Sequence, residues 1–230
     1  MKKSHKRRRN ETKQFSNLQR TRAALRPKTS TQGAYIKAIT GNQQVICLGP
    51  AGTGKTYIAA MMAADALLDG RVSQVILTRP NVGAGESIGY FPGTLEEKMA
   101  PWMSPITSVM RQRMGRGHFD EALGKKIRIV PLETIRGESF ENAFIILDEA
   151  QNTSLHQLKA FVTRQAEGSV CVINGDVRQS DLGRDSGLLR LIEIIENQNL
   201  PVPVVEFGVD DIVRSGICRD WVIAFLEEDL

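Results

Sequence analysis

The chain has 230 residues, 41% hydrophobic and 24% charged, enough for one sizeable core and a small appendage but not for two full α/β domains. Its net charge of +4 is uneven: residues 1–28 hold 11 Lys or Arg and one acid, a net of +10, leaving 19 bases and 25 acids, a net of −6, in the rest. No run approaches the roughly 18 apolar residues of a membrane span, and no apolar core follows the N-terminal charges as a secretory signal requires.

In chain order, residues 1–28 (Lys2, Lys3, Arg7, Arg8 and Arg9 through Arg20, Arg22, Arg26 and Lys28) read as a disordered or loosely helical tail. Such a tail suits a nucleic-acid arm, binding phosphates in a salt-sensitive and sequence-independent way. A solvated leader and a targeting cluster are the alternatives. Residues 29–230 read as a single domain. Helices are predicted over 34–40, 55–68, 94–114 with breaks at Pro101 and Pro105, 154–167, 186–197 and 216–227. Between them lie apolar runs at 45–48, 75–78, 127–130, 144–147, 170–173 and 202–207. Continuous apolar strands alternating with helices predict an α/β fold with a doubly wound, mostly parallel sheet covered on both faces. Ligands on such sheets bind beyond the carboxyl ends of the strands.

Cys47 and Cys171 fall on predicted strands and Cys218 on the last helix, without metal-ligand spacing. They read as small core residues of a protein in a reducing cytoplasm. His5, His118 and His156 form no constellation with Cys or acids, and Trp102 and Trp221 read as packing anchors.

Three segments carry chemistry. Gly49-Pro50-Ala51-Gly52-Thr53-Gly54-Lys55-Thr56 matches G-x-x-x-x-G-K-[ST] between a strand and a helix. Its backbone N–H groups and the helix N-terminus would cradle phosphates, with Lys55 on the β- and γ-phosphates and the Thr56 hydroxyl on Mg²⁺. Asp148-Glu149 ends an apolar strand. There Asp148 suits the Mg²⁺ sphere and Glu149 can orient or deprotonate a water, which favours hydrolysis over transfer. Gly175-Asp176-Val177-Arg178-Gln179 follows the next strand, and Gln179 can hydrogen-bond a γ-phosphate or the attacking water.

Together with Leu77-Thr78-Arg79-Pro80, the glycine-bearing stretch to Gly93, and Ala150-Gln151-Asn152-Thr153, these segments resemble the PhoH-like family of superfamily 1 helicase-type P-loop ATPases, over roughly residues 27 to 228. The resemblance implies a RecA-like P-loop core, and ATP and Mg²⁺ as cofactors. It strengthens the sensor role of Gln179 and suggests Gln32, ahead of the first helix, as the adenine reader. It makes Arg214, in Asp210-Asp211-Ile212-Val213-Arg214, the leading arginine finger, although Ser215-Gly216 replaces the family's usual His-Pro. Arg79, Arg178 and Arg184 are further arginine candidates; the resemblance also sets Arg79 against a nucleic-acid backbone or a neighbouring subunit's nucleotide, with a structural crossover loop as the alternative, and Arg136 is a weaker candidate for that contact. The expected activity is ATP hydrolysis coupled to RNA or single-stranded DNA, as a helicase or translocase. With one motor domain in the chain, a homo-oligomer, up to a hexameric ring, could supply an arginine in trans. The alternative is a regulatory or scaffolding ATP-binding module that separates no strands.

Overall fold

The computed structural model describes residues 22–80, 99–183 and 186–228. Six strands, β1 (Gln44–Leu48), β2 (Gln74–Thr78), β3 (Ile127–Ile129), β4 (Ala143–Leu147), β5 (Val170–Gly175) and β6 (Val204–Glu206), form one sheet in the order β3-β2-β4-β5-β1-β6. Every neighbouring pair is parallel, as the apolar runs predict.

Because side chains alternate across a strand, each strand feeds two cores. Val45, Cys47, Val75, Leu77, Phe144, Ile146 and Val172 face the core shared with α1 (Ser30–Gly41), α2 (Lys55–Leu68), α3 (Ser104–Met114) and α4 (Arg116–Ala122). Ile46, Leu48, Ile76, Ile145, Leu147, Cys171 and Ile173 face the core closed by α5 (Leu155–Val162) and α6 (Gly187–Asn197). The doubly wound α/β architecture therefore stands. Among the described residues no helix is long and apolar enough to cross a membrane.

Several local expectations are corrected. Helix α1 starts earlier than predicted because the Thr29 side chain caps it by accepting from Gln32 N, so Gln32 lies in its first turn rather than before it. Pro105 opens α3 instead of breaking it, since a first-turn proline lacks only an N–H that has no helical partner. Residues 94–98 of the predicted helix lie outside the described residues, and Gly115, at φ 81°, separates α3 from the unpredicted α4. Trp221 is 56% exposed, stacked on Phe225 of α7 (Ile217–Glu227), and Cys218 is exposed on the same helix, so neither is a core residue. Arg22, assigned to the basic tail, is held against the domain: its guanidinium pairs with Asp65 at 2.9 Å and with Asp69, while Arg113 grips Asp65 through two bonds of 2.7 Å. The tail residues before it lie outside the described residues.

Gly187 opens α6 against the start of α5. A Cβ there would sit 2.1 Å from Leu155 N and 2.5 Å from Leu155 Cα, backbone atoms that cannot step aside alone. Gly187→Ala should therefore lower stability by about 1–3 kcal/mol, the usual cost of overpacking, seen as a lower urea midpoint with an unchanged slope.

Candidate functional site

The sheet order assembles what the chain order scatters. Adjacent strands β2, β4, β5, β1 and β6 end, in that order, at Arg79, Asp148-Glu149, Asp176-Gln179, the 49–56 loop and the turn leading to Arg214. All but Arg79 contribute residues to one cavity of about 1050 Å³ at the carboxyl edge.

The 49–56 loop wraps tightly over the end of β1. Gly49 has φ 134°, and a Cβ on it would lie 2.5 Å from Phe207 O; Gly52 has φ 85°, and its Cβ would lie 2.7 Å from Arg214 Cγ. Only glycine combines those dihedrals with that closeness. The loop ends at the N-terminus of α2, whose first N–H groups have no helical acceptors. Lys55 Nζ folds back onto Gly49 O and Pro50 O, at 2.5 and 2.9 Å, and burial pushes its ammonium below its ordinary pKa. The Thr56 hydroxyl donates to Asp148 Oδ1 at 2.9 Å. Asp148 is buried, and desolvation, followed by the nearby Glu149, raises its carboxyl above the usual range.

Glu149 adopts φ 57°, which turns its side chain out of the strand direction. Its Oε2 accepts from Gln151 Nε2 at 2.6 Å, and its Oε1 lies 3.4 Å from Arg79 Nη2. Arg79 also donates to Trp102 O at 3.2 Å, an engagement of Trp102 through its backbone rather than its ring. The loop after Pro80 lies outside the described residues, as does Arg184. Gln179 is exposed on the cavity wall, with its backbone N–H on Asp176 O at 3.0 Å. Arg178 is exposed, and its backbone N–H rather than its guanidinium meets Asp176. Arg136 pairs with His156 and does not line the cavity.

Gln32 lines the cavity with an amide already engaged at both ends: Nε2 donates to Thr53 O at 2.8 Å, and Oε1 accepts from Lys28 N at 2.7 Å. It braces the loop against α1, and reading adenine would require giving up those bonds. Arg214 lies over its own chain's Gly52, next to a backbone bond from Val213 N to Gly52 O at 3.0 Å.

The supporting roles of three residues are not assigned by the sequence. Tyr35, fully buried on α1, donates to Asn174 Oδ1 at 2.6 Å, and Asn174 Nδ2 reaches Asp148 Oδ1 at 3.4 Å. Gln151, also buried, ties β4 to β5 by accepting from Asp176 N at 3.0 Å and, through its carbonyl, from Ser180 Oγ at 2.9 Å. The available signal was polar residues flanking the acidic strand ends, a pattern that any turn can produce.

Comparison with known proteins places this geometry. The chain is 41% identical over 211 residues to a PhoH-like protein of Mycobacterium tuberculosis, covering 90% of this chain and 60% of that protein. It is 40% identical over 203 residues to Protein PhoH of Escherichia coli, covering 86% and 57% respectively. It thus spans about three-fifths of the length of these relatives. The large terminase of a thermophilic bacteriophage shares the fold, with a TM-score of 0.55 at 11% identity over 85% of this chain and 49% of that one. The model of the family described as PhoH-like protein matches residues 24–226, nearly the whole described domain, and the chain belongs to that family.

Proposed function

We propose that this chain binds ATP with Mg²⁺ at the carboxyl edge of its sheet and hydrolyses it in coupling with RNA or single-stranded DNA. One observation carries the reading: the 49–56 loop, Asp148-Glu149, Gln179 and Arg214 line a single cavity. The triphosphate lies along the loop, and Lys55 leaves the carbonyls of Gly49 and Pro50 for phosphate oxygens. Thr56 and Asp148 offer the hard oxygen ligands that suit Mg²⁺, already 2.9 Å apart. Bound there, Mg²⁺ would neutralise charge on the β- and γ-phosphates. Glu149 activates the attacking water, Gln179 hydrogen-bonds the γ-phosphate, and Arg214 stabilises the charge that develops on it. The contact of Arg214 with its own Gly52 favours an arginine supplied in cis.

Nucleic-acid coupling rests on the basic residues of 1–28 other than Arg22, which pairs with Asp65 and Asp69, and on Arg79. The Arg79–Glu149 pair is partly exposed, and a phosphodiester competing for the guanidinium would release the carboxylate. Self-association, up to a hexameric ring, would gather several basic tails around one strand; mass determination with and without ATP and oligonucleotide tests it.

Turnover measured with and without single-stranded RNA or DNA, across a salt series, tests the whole reading. Stimulation should fall as salt rises. Lys55→Ala should abolish turnover. Glu149→Gln should retain nucleotide binding but lose about 10²-fold or more in kcat, and Arg214→Ala about 10³-fold or more. No hydrolysis by the wild-type chain would sink the ATPase reading, and turnover indifferent to every nucleic acid at low salt would sink the coupling.

Arg79→Ala gives a separate prediction. A partly exposed ion pair contributes about 1 kcal/mol at most, so the unstimulated rate should rise no more than about fivefold while stimulation by nucleic acid is largely lost. A lower basal rate with stimulation intact would contradict the release idea.

A further inference from the structure

Asp176 follows β5 and is 6% exposed, yet it belongs to the cavity wall. Its backbone N–H donates to Gln151 Oε1 at 3.0 Å, and its Oδ1 accepts from Arg178 N at 3.1 Å. Its Oδ2 is buried and has no hydrogen-bond partner among the described residues. A carboxylate oxygen left in that state costs free energy of about 1–3 kcal/mol or more, a cost that a donor reaching it from the cavity would remove.

The neighbouring groups do not provide that donor. Lys55 Nζ gives two of its three N–H donors to Gly49 O and Pro50 O, makes no bond to Asp176 Oδ2, and in the reading above turns to phosphate oxygens, while the backbone N–H of Arg178 already serves Oδ1. An ionised triphosphate brings acceptors only. Water brings two donors, and of the three carboxylates that line the cavity, Asp148 already accepts from Thr56 and Asn174, which leaves Glu149 and Asp176.

We infer that Asp176 is a second catalytic carboxylate, holding the attacking water through Oδ2 while Glu149 holds its other hydrogen. This rests on the ATP-hydrolysis reading above. With both hydrogens fixed, a lone pair of the water oxygen is aimed at the γ-phosphorus, which supplies orientation before any bond changes. As the new O–P bond forms, the bond from the γ-phosphorus to the β,γ-bridging oxygen breaks, and ADP keeps that electron pair. One water proton passes to Glu149 and then to solvent; the other stays bonded to the water oxygen, hydrogen-bonded to Asp176 Oδ2, and leaves with the phosphate.

Asp176→Asn replaces the acceptor Oδ2 by a donor –NH₂ and keeps Oδ1 for Arg178. The test compares wild type and variant for turnover, for the Mg²⁺ dependence of nucleotide binding, and for affinity toward two ADP complexes. ADP with beryllium fluoride mimics the ground state, whereas ADP with aluminium fluoride mimics the planar transition state and requires the in-line water. The expected result is a fall in kcat and in aluminium fluoride affinity of about tenfold or more, because only the transition-state arrangement loses a contact. Beryllium fluoride affinity and the Mg²⁺ requirement should stay within about threefold, which also reports an intact site. Equal loss for both analogues, a shifted Mg²⁺ requirement marking Asp176 as a metal ligand, or turnover within about twofold of wild type would each overturn the assignment. If Asp176→Asn does not fold, Asp176→Ser removes the same acceptor and is read in the same way. No turnover by the wild-type chain would bring down the ATPase reading and this assignment together, whereas wild-type turnover with an unimpaired Asp176→Asn would overturn the assignment alone.

Discussion

An unbalanced set of charges governs this structure. Asp148, Glu149 and Asp176 converge near one lysine, in a crevice where burial raises Asp148 and Asp176 above the usual carboxylate range and lowers Lys55. Groups held this way are costly unless they find partners, and most of those the fold supplies are neutral: Thr56 and Asn174 for Asp148, Gln151 beside the partly exposed Arg79 for Glu149, and a backbone N–H for Asp176 Oδ1. Neutral donors satisfy oxygens without cancelling charge. The crevice therefore retains a field suited to a hydrated cation followed by a polyanion, and Lys55 sits in reserve on loop carbonyls.

The same donors explain how sequence-distant strand ends keep register. Helix α1 braces two of them: Gln32 grips the loop at Thr53, and Tyr35, one turn on, grips Asn174 beyond the β5 core. Gln151 links the ends of β4 and β5. Each such bond contributes about 1 kcal/mol net, yet leaving its buried partner unmet costs more, so the set acts as an all-or-none scaffold. Pre-organisation of this kind matters most for catalytic carboxylates, whose direction decides whether a water is aimed or merely bound.

The sheet was readable from sequence because β1, β2, β4 and β5 are apolar on both faces, a pattern few other structures need. The 49–56 loop was readable because its glycines answer to backbone geometry, which a fixed spacing encodes. Residues acting through long-range polar contacts were not. Tyr35 looked like an ordinary helical aromatic, because its partner Asn174 is 139 positions away. Gln32 looked free to read a base, since nothing local signals that Thr53 and Lys28 hold its amide. Arg22 looked like one more tail charge, because its acids lie on α2 and at its C-cap, more than forty residues on. Trp221 and Cys218 failed for a different reason: hydrophobicity predicts burial only when another element packs against the helix, and α7 has no buried residue.

A crevice at the carboxyl edge of such a sheet stays open on one side unless another segment covers it. Here β6 pairs with β1 at the edge beside the phosphate loop, so the turn after β6 returns over that loop instead of away from it. The Val213–Gly52 backbone bond then joins the two, and the absence of a side chain on Gly52 makes room for Arg214. The loop and the arginine are thereby tied by one backbone hydrogen bond one residue before Arg214. Placing the guanidinium by strand order, rather than by closure of a second domain, would make the arginine available whenever the loop is correctly formed. Control of turnover would then fall to the opposite end of the row, where Arg79 holds Glu149 by a pair exposed enough to be exchanged.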